Sequence, residues 1–391
     1  MVEKLWNSDY IKVWCSNFLL YFAFMLMTPL LPLYLTDTFG ANKEVIGLVL
    51  SGYALAALLM RPFSGYLVDS LPRKAVLLLA YFLTCALFGG YLLAGSLTLF
   101  AIFRMVQGAP FGAAGVSLST VMIDVLPSSR RAEGIGYFGL SNNIATAIAP
   151  GIGLLIYSHW QSYELLFVLS MLSSLAGVII LSTLHLKPRE IITERQAISL
   201  DRFFLLKGWA LFLIIFSMAF AYGILSTYVA IYGRENLGIT TGTGLFFTLF
   251  AVGLIISRLT GTRSLRQGKI VRNASMGIIV SISGFILFCT IQQQWAYYLA
   301  PLIIGLGNGH LWPAFQSMFI DLAEHNQRGT ANSTLLTGWD LGMAVGMFVG
   351  GSVAEHWSYF SAFWTGVFLY AIGVIFYFAF AKGHFLQNKL R

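Results

Sequence analysis

The sequence predicts an all-α integral membrane protein, with twelve transmembrane helices in two six-helix pseudo-symmetric bundles. Three observations predict it. Of the 391 residues, 57% are hydrophobic and only 10% charged, whereas a soluble domain carries about 25% charged residues. Apolar runs near the ~20-residue length of a bilayer-crossing helix recur along the whole chain. A shift of 197 positions superposes many special residues of the first half on the second without gaps.

The spans fall at roughly 11–35, 45–68, 74–95, 97–122, 132–157 and 163–185, then 208–232, 242–262, 270–291, 295–320, 330–355 and 358–381. The first run, Val13 to Leu35, is too long for the core of a signal peptide and reads as a retained span. The only long polar interruption is "KPREIITERQAISLDR", Lys187 to Arg202. It divides the chain into bundles at 1–185 and 208–391, joined by a cytoplasmic linker at 186–207.

Lysine and arginine set the orientation. With both termini cytoplasmic, Lys43 and Arg234 fall outside and Arg104 within a span. The rest of the 24 lie on cytoplasmic segments and span ends. The net charge of +8 is therefore mostly topology, and nucleic acid is excluded as a partner. Cys15, Cys85 and Cys289 sit in apolar segments without metal-ligand spacing and read as reduced core thiols. No metal or cofactor is expected.

Under the shift, Gly47 falls on Gly244, Arg61 on Arg258, Gly108 on Gly305 and Asp124 on Asp321. Arg131 falls on Arg328, Gly153 on Gly350 and His159 on His356. The halves are parallel repeats about an axis along the membrane normal. In transporters of that build the substrate site lies between the halves near the midplane, and rocking exposes it to alternate sides.

Three motifs carry a family resemblance. "GYLVDSLPRK", Gly65 to Lys74, resembles the signature loop between spans two and three of the major facilitator superfamily. "RMVQGAPFGAA", Arg104 to Ala114, resembles that family's fourth-span motif. "AIAPGIG", Ala147 to Gly153, resembles its fifth-span antiporter motif, with Ala149 in place of the first glycine. The resemblance covers essentially the whole chain and implies the major facilitator fold, a small-molecule substrate and a lipid-embedded, monomeric protein.

By this resemblance, Gly65, Asp69, Arg73 and Lys74 form a gating loop. Asp69 would meet the cytoplasmic N-terminus of span eleven, where unsatisfied N–H groups and the helix dipole favour a carboxylate. Such a contact exists only with the inner gate closed, which makes it a latch. The competing reading is a topology loop with a weak surface ion pair. The equivalent position in the second half is Arg266, so that copy lacks the acid.

Small residues recur every fourth position at Ser141, Ala145, Ala149 and Gly153, and again at Gly338, Gly342, Gly346 and Gly350. Such stripes let helix backbones approach closely in lipid. Ala149, Pro150, Gly153 and the four later glycines are expected at the seam between the halves, with packing inside one half as the alternative. Pro150 removes a backbone donor and bends span five. "GLGNGHLWP", Gly305 to Pro313, lies inside a span rather than in a βαβ unit, so it is not a dinucleotide loop. Helix flexibility, with room for a ligand, is the expectation there.

Three ionisable residues sit clearly within the spans, away from their ends: Arg104, His310 and Asp340. Such residues are costly and mark functional sites by default. Counting about 1.5 Å per residue puts Asp340 roughly 18 Å, and His310 about 16 Å, from the cytoplasmic end, so they can pair. Asp340 lies about 200° around the helix from the glycine stripe. If that stripe faces the other half, Asp340 turns back into its own. Proton coupling by Asp340 and His310 is weighed against an Asp–His pair that only fixes packing. Arg104 stays charged, and either organises the pathway or answers a substrate carboxylate. Asn17, Tyr21, Gln107, Asn142, Asn143, Asn308, Trp312, Gln316 and Trp339 complete an amphiphilic cavity lining.

The function expected is secondary active transport: export of a small organic or amphiphilic compound, driven by the proton gradient, across a bacterial cytoplasmic membrane. The export direction rests on the resemblance. An importer of a sugar or other metabolite, and a receptor that binds without transporting, are the alternatives. No nucleophile–base pair or metal cluster supports an enzyme.

Overall fold

The computed structural model describes residues 4–127, 131–186, 204–239, 243–266, 269–323 and 328–390. Among these there is no strand. Helix α1 (Ser8–Met27) passes through a 3-10 turn (Thr28–Leu30) into α2 (Leu31–Phe39). Pro29 and Pro32 lack the N–H groups that would continue the ladder. The chain continues with α3 (Lys43–Ser70), α4 (Arg73–Leu92), α5 (Leu97–Val125), α6 (Arg131–Trp160) and α7 (Tyr163–Ser182). Then come α8 (Trp209–Asn236), α9 (Thr243–Arg266), α10 (Ile270–Thr290), α11 (Gln294–Leu322) and α12 (Arg328–His356). Helix α13 (Tyr359–Phe376) runs through a π segment (Tyr377–Ala381) into α14 (Lys382–Asn388).

Short polar side chains set several starts. Asn7, Ser96, Ser162 and Ser358 each accept a hydrogen bond from the N–H three residues on, at 2.8, 3.3, 3.2 and 3.1 Å. These contacts satisfy donors that the first turn leaves orphaned.

Nine helices among the described residues are long and apolar enough to cross a membrane, and Gly244–Ser257 is a shorter apolar one. Twelve such spans were expected. Helices α11 and α12 are long enough but fall outside the apolar set. They carry Pro301, Asn308, His310 and Pro313, and Asp340 among glycines, which dilute their hydropathy. Leu59, Leu93 and Ile375 are 68, 76 and 68% exposed, a surface that suits hydrocarbon rather than water.

The chain divides into two compact units, one of residues 1–39 and 52–196, the other of 40–51 and 197–391. Most of the expected linker, 187–203, lies outside the described residues. In the first unit α1 packs on α6 and α7, and α4 on α5 and α7. In the second, α11 packs on α9 and α10, and α8 on α12 and α13.

The sequence repeat is realised as a repeated crossing. A Cβ on Gly108 would collide with the Tyr53 carbonyl oxygen, and one on Gly305 with the Phe250 carbonyl oxygen. These four residues are two pairs of repeat equivalents.

The glycine stripe corrects the seam expectation. A Cβ on Gly342 would collide with the Phe216 carbonyl oxygen and lie 2.8 Å from Ala219 Cβ. At Gly346 the obstacle is Phe220, at Gly338 Phe212, and at Gly350 Ile224, all on α8 of the same unit. Gly153 likewise faces the Leu26 carbonyl oxygen of α1, while Ala149 and Pro150 are buried on the same helix α6. The small residues bring neighbouring helices of one bundle together. Gly305, Gly307 and Gly309 also serve close approach, on Phe250, Ser281 and Ser257.

Candidate functional site

In the first unit the site is built around Arg104, on α5. Its side chain is buried, with the residue 2% exposed. Its Nη1 donates to Gln107 Oε1 at 3.2 Å and to Tyr91 Oη at 3.3 Å. Tyr91 also donates to Gln107 Oε1, and Gln107 Nε2 donates to the Thr84 carbonyl at 3.2 Å. Spacing places Arg104 and Gln107 on one face of α5, and α4 supplies Thr84 and Tyr91.

The guanidinium carbon lies 4.1 Å from the Tyr53 ring centroid and 5.0 Å from that of Phe24, within the range of attraction between a cation and a ring face. Phe24 stacks on Tyr53 at 4.9 Å, and Phe111 meets Phe24, Tyr53 and Tyr21 at 4.7, 5.7 and 5.5 Å. The expected residues Tyr21, Arg104 and Gln107 thus share one polar-aromatic patch. Sequence reasoning missed Phe24, Tyr53, Thr84 and Tyr91. One signal was available for Tyr53, since its repeat equivalent Phe250 is also aromatic.

In the second unit, Trp339 on α12 meets Trp312 on α11 at 5.2 Å, edge to face, and Tyr222 on α8 at 5.5 Å. Tyr222 in turn meets Phe250 on α9 at 5.4 Å. Four helices therefore converge on one aromatic cluster. Asp340 follows Trp339 directly; it is half-buried, with Oδ2 fully shielded. His310 is 7% exposed with Nδ1 shielded. Because the glycine stripe faces α8, Asp340 points about 200° away from that contact.

The remaining polar residues have distinct settings. Asn17 is buried and donates to Ser141 Oγ at 2.8 Å, tying α1 to α6. Asn308 Oδ1 accepts from Ser281 Oγ at 2.8 Å. Asn142 accepts from Thr146 at 3.4 Å. Asn143 and Gln316 are half-buried on α6 and α11.

At the junction of α3 and α4, Gly65 and the Asp69 side chain lie outside the described residues. Arg73 Nη1 sits 2.5 Å from both carboxylate oxygens of Asp124. Lys74 Nζ donates to the Ser182 and Leu184 carbonyls at 2.8 and 2.7 Å, a favourable cation at the C-terminal end of α7. Both basic residues of the loop are anchored within the first unit. Among the described residues no group of three or more His, Cys, Asp or Glu side chains stands together as a metal site.

Two helical units of repeated design, with ionisable residues inside apolar helices, have the make-up of a membrane transporter. The chain belongs to the Major Facilitator Superfamily, whose sequence profile matches residues 13–286 and 268–389. It is a multi-pass membrane protein of a family that moves small molecules and is not enzymatic. It is 21% identical over 366 residues to the quinolone resistance protein NorA of Staphylococcus aureus, covering 89% of this chain and 90% of that protein. It is 25% identical over 382 residues to the uncharacterized MFS-type transporter YhhS of Escherichia coli, covering 94 and 90%. Among solved structures, a peptide transporter, POT, superposes with a TM-score of 0.80 at 14% identity, over 97% of this chain and 95% of that one.

Proposed function

We propose that the protein is a proton-coupled antiporter, exporting a small organic or amphiphilic compound across a bacterial cytoplasmic membrane by alternating access. The observation that carries the coupling is Asp340. It is a half-buried carboxyl group midway along helix α12, next in sequence to Trp339 of the Trp312–Trp339 pair, with Oδ2 shielded. Desolvation of a carboxyl favours its protonated form, and hydration or a nearby cation favours the charged one. Alternating access switches between such environments, so the group loads a proton on one side and releases it on the other. His310, buried on α11, is the second titrating residue in this reading. Asp69 serves as the inner latch, and the protein works as a monomer with no cofactor beyond the proton gradient. The outward direction is supported by the similarity to a quinolone resistance protein.

The test is reconstitution into liposomes with an imposed pH gradient and a panel of labelled compounds that includes a quinolone. The wild type concentrates its substrate against the gradient of that compound. Asp340→Asn retains one-for-one exchange but no longer concentrates it. Accumulation by Asp340→Asn equal to wild type removes Asp340 from the coupling step. Transport in the opposite direction, with the proton flow, turns the assignment to a symporter.

A further inference from the structure

We infer that Arg104 is the anchor for an anionic group on the transported compound, a carboxylate or a group of like shape and charge. This rests on the transport reading and names the chemistry of its substrate.

A guanidinium remains charged at any pH the protein meets. Here it is nine-tenths buried and more, at 2% exposure, inside a membrane helix. Buried charges are ordinarily paired. Among the described residues Arg104 has no acidic partner, and its hydrogen bonds all come from one nitrogen, Nη1, to the neutral oxygens of Gln107 and Tyr91. Nε is shielded and without a partner. The Nε–Nη2 edge therefore makes no hydrogen bond among the described residues, and that edge matches a carboxylate in a two-point hydrogen-bonded fork.

The rings of Tyr53 and Phe24 answer part of the charge. A ring quadrupole returns less than the desolvation of an ion costs, so a deficit remains that an incoming anion fills. Gln107 and Tyr91 act as positioning residues. The Gln107 amide is fixed by its bond to the Thr84 carbonyl, so its oxygen faces Arg104 and its nitrogen does not. The internal repeat shows that the cation is a specific addition and no part of the crossing itself. The residue equivalent to Arg104 in the second half is Pro301, although the helix crossing beside it is the same.

The experiment measures equilibrium binding of tritiated 2-naphthoate and neutral 2-naphthamide to the full chain in nanodiscs at neutral pH. The wild type binds naphthoate saturably and at least tenfold more tightly than the amide. Arg104→Gln abolishes the difference. Arg104→Lys keeps part of it, since it retains charge but loses the fork. The wild-type comparison stands even if the glutamine variant does not fold. No saturable naphthoate binding, equal affinity for the two probes, or an undiminished preference in a folded Arg104→Gln overturns the assignment. Because binding is read without a gradient, selective naphthoate binding with no proton-driven movement rejects the antiport reading alone. Proton-driven movement without that selectivity rejects the role of Arg104 alone.

Discussion

Arg73 reaches from the first turn of α4 to Asp124 near the end of α5, placing Nη1 2.5 Å from each carboxylate oxygen. The side chains are 15 and 37% exposed, so the pair sits at the boundary of the bundle and is only partly screened. A pair of this exposure contributes about 1 kcal/mol at most. In a double-mutant cycle of Arg73→Ala and Asp124→Ala, thermal unfolding should show a coupling of about 0.5–1 kcal/mol that shrinks with added salt. A coupling indistinguishable from zero at low salt would refute the contact as a stabilising one.

The stripe on α12 predicts a sharp positional contrast. Gly346→Val drives its side chain into the Phe220 backbone, and overpacking of that kind costs about 1–3 kcal/mol or more. Gly139 and Gly383 lie in helices with nothing within 4 Å of a built Cβ, so alanine there is neutral to stabilising, by up to about 1 kcal/mol. Unfolding in detergent compares the three variants. Equal stability of Gly346→Val and wild type would contradict the close crossing of α8 and α12.

Asn17 was expected to line the pathway, yet its amide is committed to Ser141. Interhelical hydrogen bonds of this type in membranes average about 0.6 kcal/mol and reach ~1.7. Asn17→Ala and Ser141→Ala should each lower stability by about 1 kcal/mol and leave the substrate profile unchanged. A changed ranking of transported compounds in Asn17→Ala would return the residue to the pathway.

The proposed carrier predicts a pH signature. A residue that loads and releases the coupled proton makes the wild-type transport rate vary with pH. Asp340→Asn should flatten that profile, and Trp339→Phe should preserve it while weakening substrate affinity. The rate is to be followed at equal pH on both faces, varied together. An unaltered profile in Asp340→Asn counts against titration of this residue.

Much of the architecture was legible in the chain. Hydropathy is local and additive, so apolar runs locate helices before any fold is known. The repeat offset was legible because special residues at crossings, such as Gly108 and Gly305, are held in place by a neighbouring carbonyl. The Arg104 patch was half visible: its charge stood out in an apolar segment, and Gln107 shares its helical face. Tyr91 and Thr84 were invisible as partners, since they come from another helix and look like ordinary apolar-span residues.

By itself, then, the sequence determined a chain of membrane helices in two equivalent halves, with three ionisable groups inside them. Which helix each face meets was decided only by the tertiary structure. A stripe such as Gly338 to Gly350 states that some backbone comes close, but every helix offers the same carbonyls, so the stripe does not say whose. The fold chose α8 of the same unit, and that choice fixed where Asp340 points. It also surrounded Arg104 with two rings and two neutral acceptors instead of a carboxylate. Charge is a property of one residue, whereas its compensation depends on several helices at once.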